Sequence, residues 1–138
     1  MDVEIPIAII ATLTALLMAF VNYRLSRSSN KTAKNTEIRA QSYIDFIKCI
    51  SDLAHTSPQE RKQAIAKLTD AKARIVIYGD SAVIKELANF DRAHKELNSN
   101  EAYEAFLKIA LEMRSDAIGK REGEDPKDLR QVLFGNSA

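Results

Sequence analysis

One cysteine, two histidines, three prolines and four glycines are all that this 138-residue chain holds of the types that most often carry metal, redox or tight-turn chemistry. A solitary Cys49 excludes an internal disulfide framework and any multi-cysteine zinc site. With His55 and His94 the only imidazoles, a histidine-built metal centre is nearly excluded too. The glycines, at 79, 119, 123 and 135, are too scattered to form a phosphate-cradling loop. So few breakers favour long helices over a turn-rich sandwich. A formal net charge of +1 offers no global attraction to nucleic acid. What is present, 46% hydrophobic and 28% charged residues, fits neither a disordered tail nor a polytopic membrane protein.

The most informative absence is local. Ile5 to Val21 is a run of 17 residues without a charge, and nine of them are Ile, Leu, Phe or Val. Continued through Asn22 and Tyr23, the run would span roughly 25–28 Å as a helix, close to the ~30 Å hydrocarbon core of a bilayer. Those nine side chains contribute about −3 to −5 kcal/mol towards insertion. Pro6 falls in the first turn, where its missing N–H costs least. A cleaved signal peptide would begin with a basic segment, but Met1-Asp2-Val3-Glu4 is acidic, and no small-x-small site followed by a plausible mature start appears. A buried core helix rarely stays uncharged for so long. The run therefore predicts a transmembrane helix over residues 5–23, preceded by a short extracytoplasmic tail, 1–4.

Residues 24–39 carry Arg24, Arg27, Lys31, Lys34 and Arg39 against Glu37 alone. The positive-inside rule then places the N-terminus outside and the remaining residues, about 115, in the cytoplasm. A reducing compartment suits a lone thiol. Arg24, Arg27, Lys31 and Lys34, in a juxtamembrane linker over 24–35, are the expected contacts to anionic lipid, worth ~1 kcal/mol each near the surface. Nucleic acid is not the expected partner, because no aromatic beyond Tyr23 is interleaved to stack on bases. Within the span, Ala11, Ala15 and Ala19 form a small-xxx-small face for helix packing.

From 36 to 119 the apolar residues recur at helical spacing, which predicts an antiparallel bundle of about four amphipathic helices. The first, with Asn35 as N-cap, carries Tyr43, Phe46, Ile47, Ile50, Leu53 and Ala54 and ends near His55, placed to complement the helix dipole. Ser57-Pro58-Gln59-Glu60 reads as a capping box with a proline start. It opens a helix with Ala64, Ile65, Leu68, Ala71, Ile75 and Tyr78, closed by Gly79 as C′. The β-branched Ile75-Val76-Ile77 leaves a short extended piece there as an alternative. Asp80 caps a third helix with Val83, Ile84, Leu87, Phe90, His94 and Leu97. Ser99 caps a fourth with Tyr103, Phe106, Leu107, Ala110, Met113 and Ala117, closed by Gly119. A connector and a short helix after Asp125-Pro126 fill 120–138. That helix, with Leu129, Val132, Leu133 and Phe134, is too short to persist alone and must dock on the body or on a partner.

The stretch Ala71-Lys72-Ala73-Arg74-Ile75-Val76-Ile77-Tyr78-Gly79-Asp80, with Val83-Ile84-Lys85-Glu86-Leu87 and Phe90, resembles an uncharacterised family of small bacterial single-pass membrane proteins with a cytoplasmic helical domain. Phe106-Leu107 and Met113-Arg114-Ser115-Asp116 are similar to that family as well, so the resemblance covers about residues 36–118. Its motifs are packing and capping motifs. It implies the fold and brings no activity with it.

No constellation in the sequence points to catalysis. Cys49, Asp52 and His55 are the one local trio, but Cys49 and His55, six residues apart, point to different sides of a helix. His94 reads as a packed imidazole. Glu101, Glu104, Glu112 and Asp116 read as a solvated acidic face. No cofactor and no metal are expected. The expectation is a non-enzymatic membrane-anchored protein acting through self-association or an unidentified protein partner, with the lipid bilayer and a homo-oligomer as its implied associates. The alternative is a membrane-perturbing effector, a toxin-like subunit of a stress or phage-defence module.

Overall fold

The computed structural model describes the backbone of residues 4–119, 123 and 125–135, and side chains from Thr14 onward within that set, apart from 54 and 55. All regular structure among the described residues is helical: α1 (Glu4–His55), α2 (Arg61–Tyr78), α3 (Ser81–Ala93), α4 (Asn100–Ile118) and α5 (Pro126–Phe134). The chain divides into two compact units, Met1–Asn35 and Thr36–Ala138. The all-α expectation holds. The extended alternative at Ile75–Tyr78 does not, because this segment is the last turn of α2.

In the first unit, α1 leaves its described apolar side chains open. Leu16, Leu17, Met18, Phe20, Val21, Tyr23 and Leu25 are all exposed. Among the described residues no helix is long and apolar enough to cross a membrane. The uncharged run straddles the limit of description, since residues 5–13 have no described side chains. No cap starts a new helix at Asn35. Residues 24–39 have no glycine or proline, and α1 continues unbroken through them.

In the second unit, side chains link the helices into a bundle. Asp45 of α1 meets Arg74 of α2, Lys72 of α2 meets Asp91 of α3, and Phe46 of α1 meets Phe106 of α4. The core joins Tyr43 and Phe46, Ala71 and Ile75, Val83, Leu87 and Phe90, and Ala102, Phe106, Ile109 and Met113. Helix α4 is the most enclosed, with Leu107 and Ala110 buried as well. Its stripe is wider than the sequence suggested, and Ile109, fully buried, was missing from it. Helix α5 docks on the body: Phe134 lies 4.8 Å from the Tyr103 ring and 5.8 Å from the Phe106 ring, and Arg130 pairs with Glu104 at 2.6 Å.

Both expected caps at Asp80 and Ser99 form, and Asp125 supplies a third. Asp80 accepts from the Ala82 N–H at 2.8 Å, Ser99 from the Ala102 N–H at 3.2 Å, and Asp125 from the Lys127 N–H at 2.9 Å. The box at Ser57 does not form as drawn. Ser57 Oγ donates to the Glu60 carboxylate at 2.9 Å, and α2 begins only at Arg61. The two side chains bond to each other, so neither satisfies a backbone N–H. Helix α3 also ends early, at Ala93, with His94 in an extended conformation. The break lets Leu97 return to the core and Glu96 reach Arg61. Gly79 is no left-handed C′ residue either; its φ is −73°. The expected dipole role of His55 lies outside the described residues.

Candidate functional site

Three features of the described residues could serve a function. The first is the surface of α1 in the first unit. Ala15 and Ala19 are exposed and one helical turn apart on a common face; the side chain of Ala11 lies outside the described set. Arg24, Arg27, Lys31 and Lys34 are also exposed. Their spacing of three, four and three residues gathers them on one side of the helix, a cationic stripe with no carboxylate between them. Arg24 turns its guanidinium over the Phe20 ring, 5.5 Å from the centroid, and so joins the apolar segment to the basic one.

The second feature is a polar network at one end of the bundle. Tyr43, only 4% exposed, donates from its hydroxyl to Asp116 Oδ2 at 2.9 Å and accepts from the Asp80 N–H at 3.0 Å. Arg39 Nε closes on the same Asp116 oxygen at 2.9 Å. One phenol thus ties α1 to α4 and to the start of α3. Burial pushes the Tyr43 hydroxyl up to about 12; the Asp80 N–H works against this and the Asp116 carboxylate adds to it. The sequence placed Asp116 on a solvated acidic face; its side chain is 15% exposed and holds two partners. Glu104 of that same face is paired with Arg130. A second clamp lies between α1 and α2, where Arg74 bridges Asp45 at 2.8 Å and Asp70 at 2.9 Å. The Asp45 carboxyl is held below its usual range by the Gln41 amide first and by Arg74 next. These networks are satisfied and internal. Their geometry fits holding helices in register.

The third feature is a pair of depressions. One, of about 370 Å³, opens between the end of α1, α2 and the segment that follows α3. Ile50, Leu53, Ile65, Leu68, Phe90 and Leu97 form its apolar lining, and Arg61, Lys72, Asp91, Lys95 and Glu96 its charged rim. The other, of about 360 Å³, is lined by Cys49, Asp52, Thr56, Glu60, Gln63, Ala64 and Lys67. Burial pushes the Cys49 thiol up, and Asp52 and Asp45 push it further, so this sulfur is disfavoured as a thiolate nucleophile. His55, the third member of the local trio, has no described side chain. His94 packs on Phe90, with ring centroids 5.6 Å apart. Among the described residues no cluster of His, Cys, Asp and Glu could hold a metal ion.

Sequence reasoning missed Tyr43 and Asp116 as partners, because 73 residues separate them and neither belongs to a recognisable motif. Comparison of the chain with protein-family models, curated proteins and solved structures gives no match.

Proposed function

We propose that this is a single-pass membrane-anchored helical protein, of the uncharacterised bacterial group it resembles, that works without catalysis. In this reading residues 5–23 cross the inner membrane, the basic stretch 24–35 leaves it through the anionic cytoplasmic headgroups, and the domain from 36 onward associates with itself or with a protein partner. Tethering raises the effective concentration of such a domain, so weak contacts suffice.

One observation carries the reading. Leu16, Leu17, Met18, Phe20 and Val21 stand at 47–65% exposure over more than half of the circumference of α1, and Ala15 and Ala19 on the remaining side are exposed too. A helix that is apolar all round must be covered by protein or by lipid, and nothing in the described chain covers this one. The cationic stripe begins within one turn of its end, where an anionic surface would meet it.

Disulfide scanning in isolated inner membranes tests the association. In a Cys49→Ser background, Ala15→Cys and Ala19→Cys are expected to give crosslinked dimers, and Leu17→Cys, on the opposite side from the alanine face, far less. Equal crosslinking at all three positions, or none, would contradict a specific packing face. The membrane-perturbing alternative is separated by a potential-sensitive dye, which would register depolarisation on induced expression.

A further inference from the structure

We infer that the depression between α1, α2 and the segment after α3 binds a single-chain anionic amphiphile, a medium-chain fatty acid. The inference concerns residues of the second unit alone and stands apart from the membrane reading. Its first ground is shape and lining. At about 370 Å³ the space lies at the low end of the roughly 300–1,000 Å³ typical of small-ligand pockets, enough for one alkyl chain and too small for a two-chain lipid. Ile50, Leu53, Ile65, Leu68, Phe90 and Leu97 offer that chain an apolar lining.

The second ground is charge. The rim holds three cations and two carboxylates. Asp91 is taken by Lys72 at 2.8 Å and Glu96 by Arg61 at 3.1 Å, two ion pairs that reach from α2 across to the far wall. Among the described residues Lys95, which lines the same depression, has no carboxylate partner. A carboxylate head group at the mouth would pair with Lys95, while a cationic head would meet its like charge there. An apolar floor with one uncommitted cation at its edge is the complement of a fatty acid.

The test uses the full chain in phosphatidylcholine nanodiscs, or in buffer if it purifies without lipid, and a diazirine-bearing dodecanoate as probe. Within residues 36–138, photolabelling is expected at 50–53, 65–68 and 90–97. Unlabelled dodecanoate should compete and dodecyltrimethylammonium should not. Lys95→Glu is expected to lower labelling about three- to fivefold, the scale of one partly exposed ion pair, while Lys85→Glu, an exposed change on α3, leaves it unaltered. Labelling spread along the helices, insensitive to Lys95→Glu, or displaced equally by the cationic detergent would overturn the inference. An unlabelled pocket with an amine crosslink joining Lys95 of two copies would assign it to a protein occupant.

Discussion

Tyr43 shows how much of this domain hangs on single side chains. Its hydroxyl has two partners, and removing it as Tyr43→Phe leaves the Asp80 N–H and one bond to Asp116 unsatisfied in a largely buried place. The expected cost is about 1–3 kcal/mol, read from the urea midpoint at neutral pH. The phenol also makes stability depend on pH with a definite sign. In the unfolded chain a tyrosine titrates near 10, whereas in the fold this one is raised to about 12. Its contribution is therefore whole below pH 10 and is lost as pH rises from 10 through 12, amounting to roughly 2–3 kcal/mol. Urea midpoints of the wild type and Tyr43→Phe should converge across that window. A gap that stays constant from pH 9 to 12 would show that the phenol is not held as described.

Elements were legible from the sequence where one residue sets them locally. Asp80 and Ser99 each cap a helix within their own next three residues, so the signal and its effect lie together. Boundaries set by distant contacts were not legible. Helix α3 stops at Ala93 because Glu96 and Leu97 are claimed by α2 and the core, and nothing in His94-Lys95-Glu96 announces this. Ser57 and Glu60 have the spacing of a capping box yet bond to each other. Gly79 was legible as an end but not for its reason. Its N–H bonds the Ile75 carbonyl at 2.7 Å in extended backbone, and an added Cβ would run into that same carbonyl oxygen. Gly79→Ala is accordingly expected to destabilise by about 1–3 kcal/mol through overpacking, measured as a lowered thermal midpoint. An unchanged midpoint would mean that the end of α2 can shift freely.

For the molecule as a whole, sequence and structure speak to different halves. The bundle from Thr36 onward closes its own core, and its pattern of apolar positions was readable because helical periodicity reports burial directly. The polar seams were not, since Arg39, Tyr43 and Asp116 come together only through the fold. The candidate pocket shares that obscurity: its lining comes from three separate helices and a connecting segment. The opening run is the reverse case. Its composition is eloquent in the sequence, and its described apolar side chains, Leu16 to Val21, stay exposed. The account therefore turns on where residues 5–23 reside. Alkaline carbonate extraction of cells expressing the full chain, followed by flotation on a density gradient, measures this most directly. The account predicts that the protein stays with the floating membranes after extraction, and that Leu13→Asp combined with Leu16→Asp moves it to the supernatant. Release of the unaltered chain by carbonate, with nothing in the floating fraction, would contradict it.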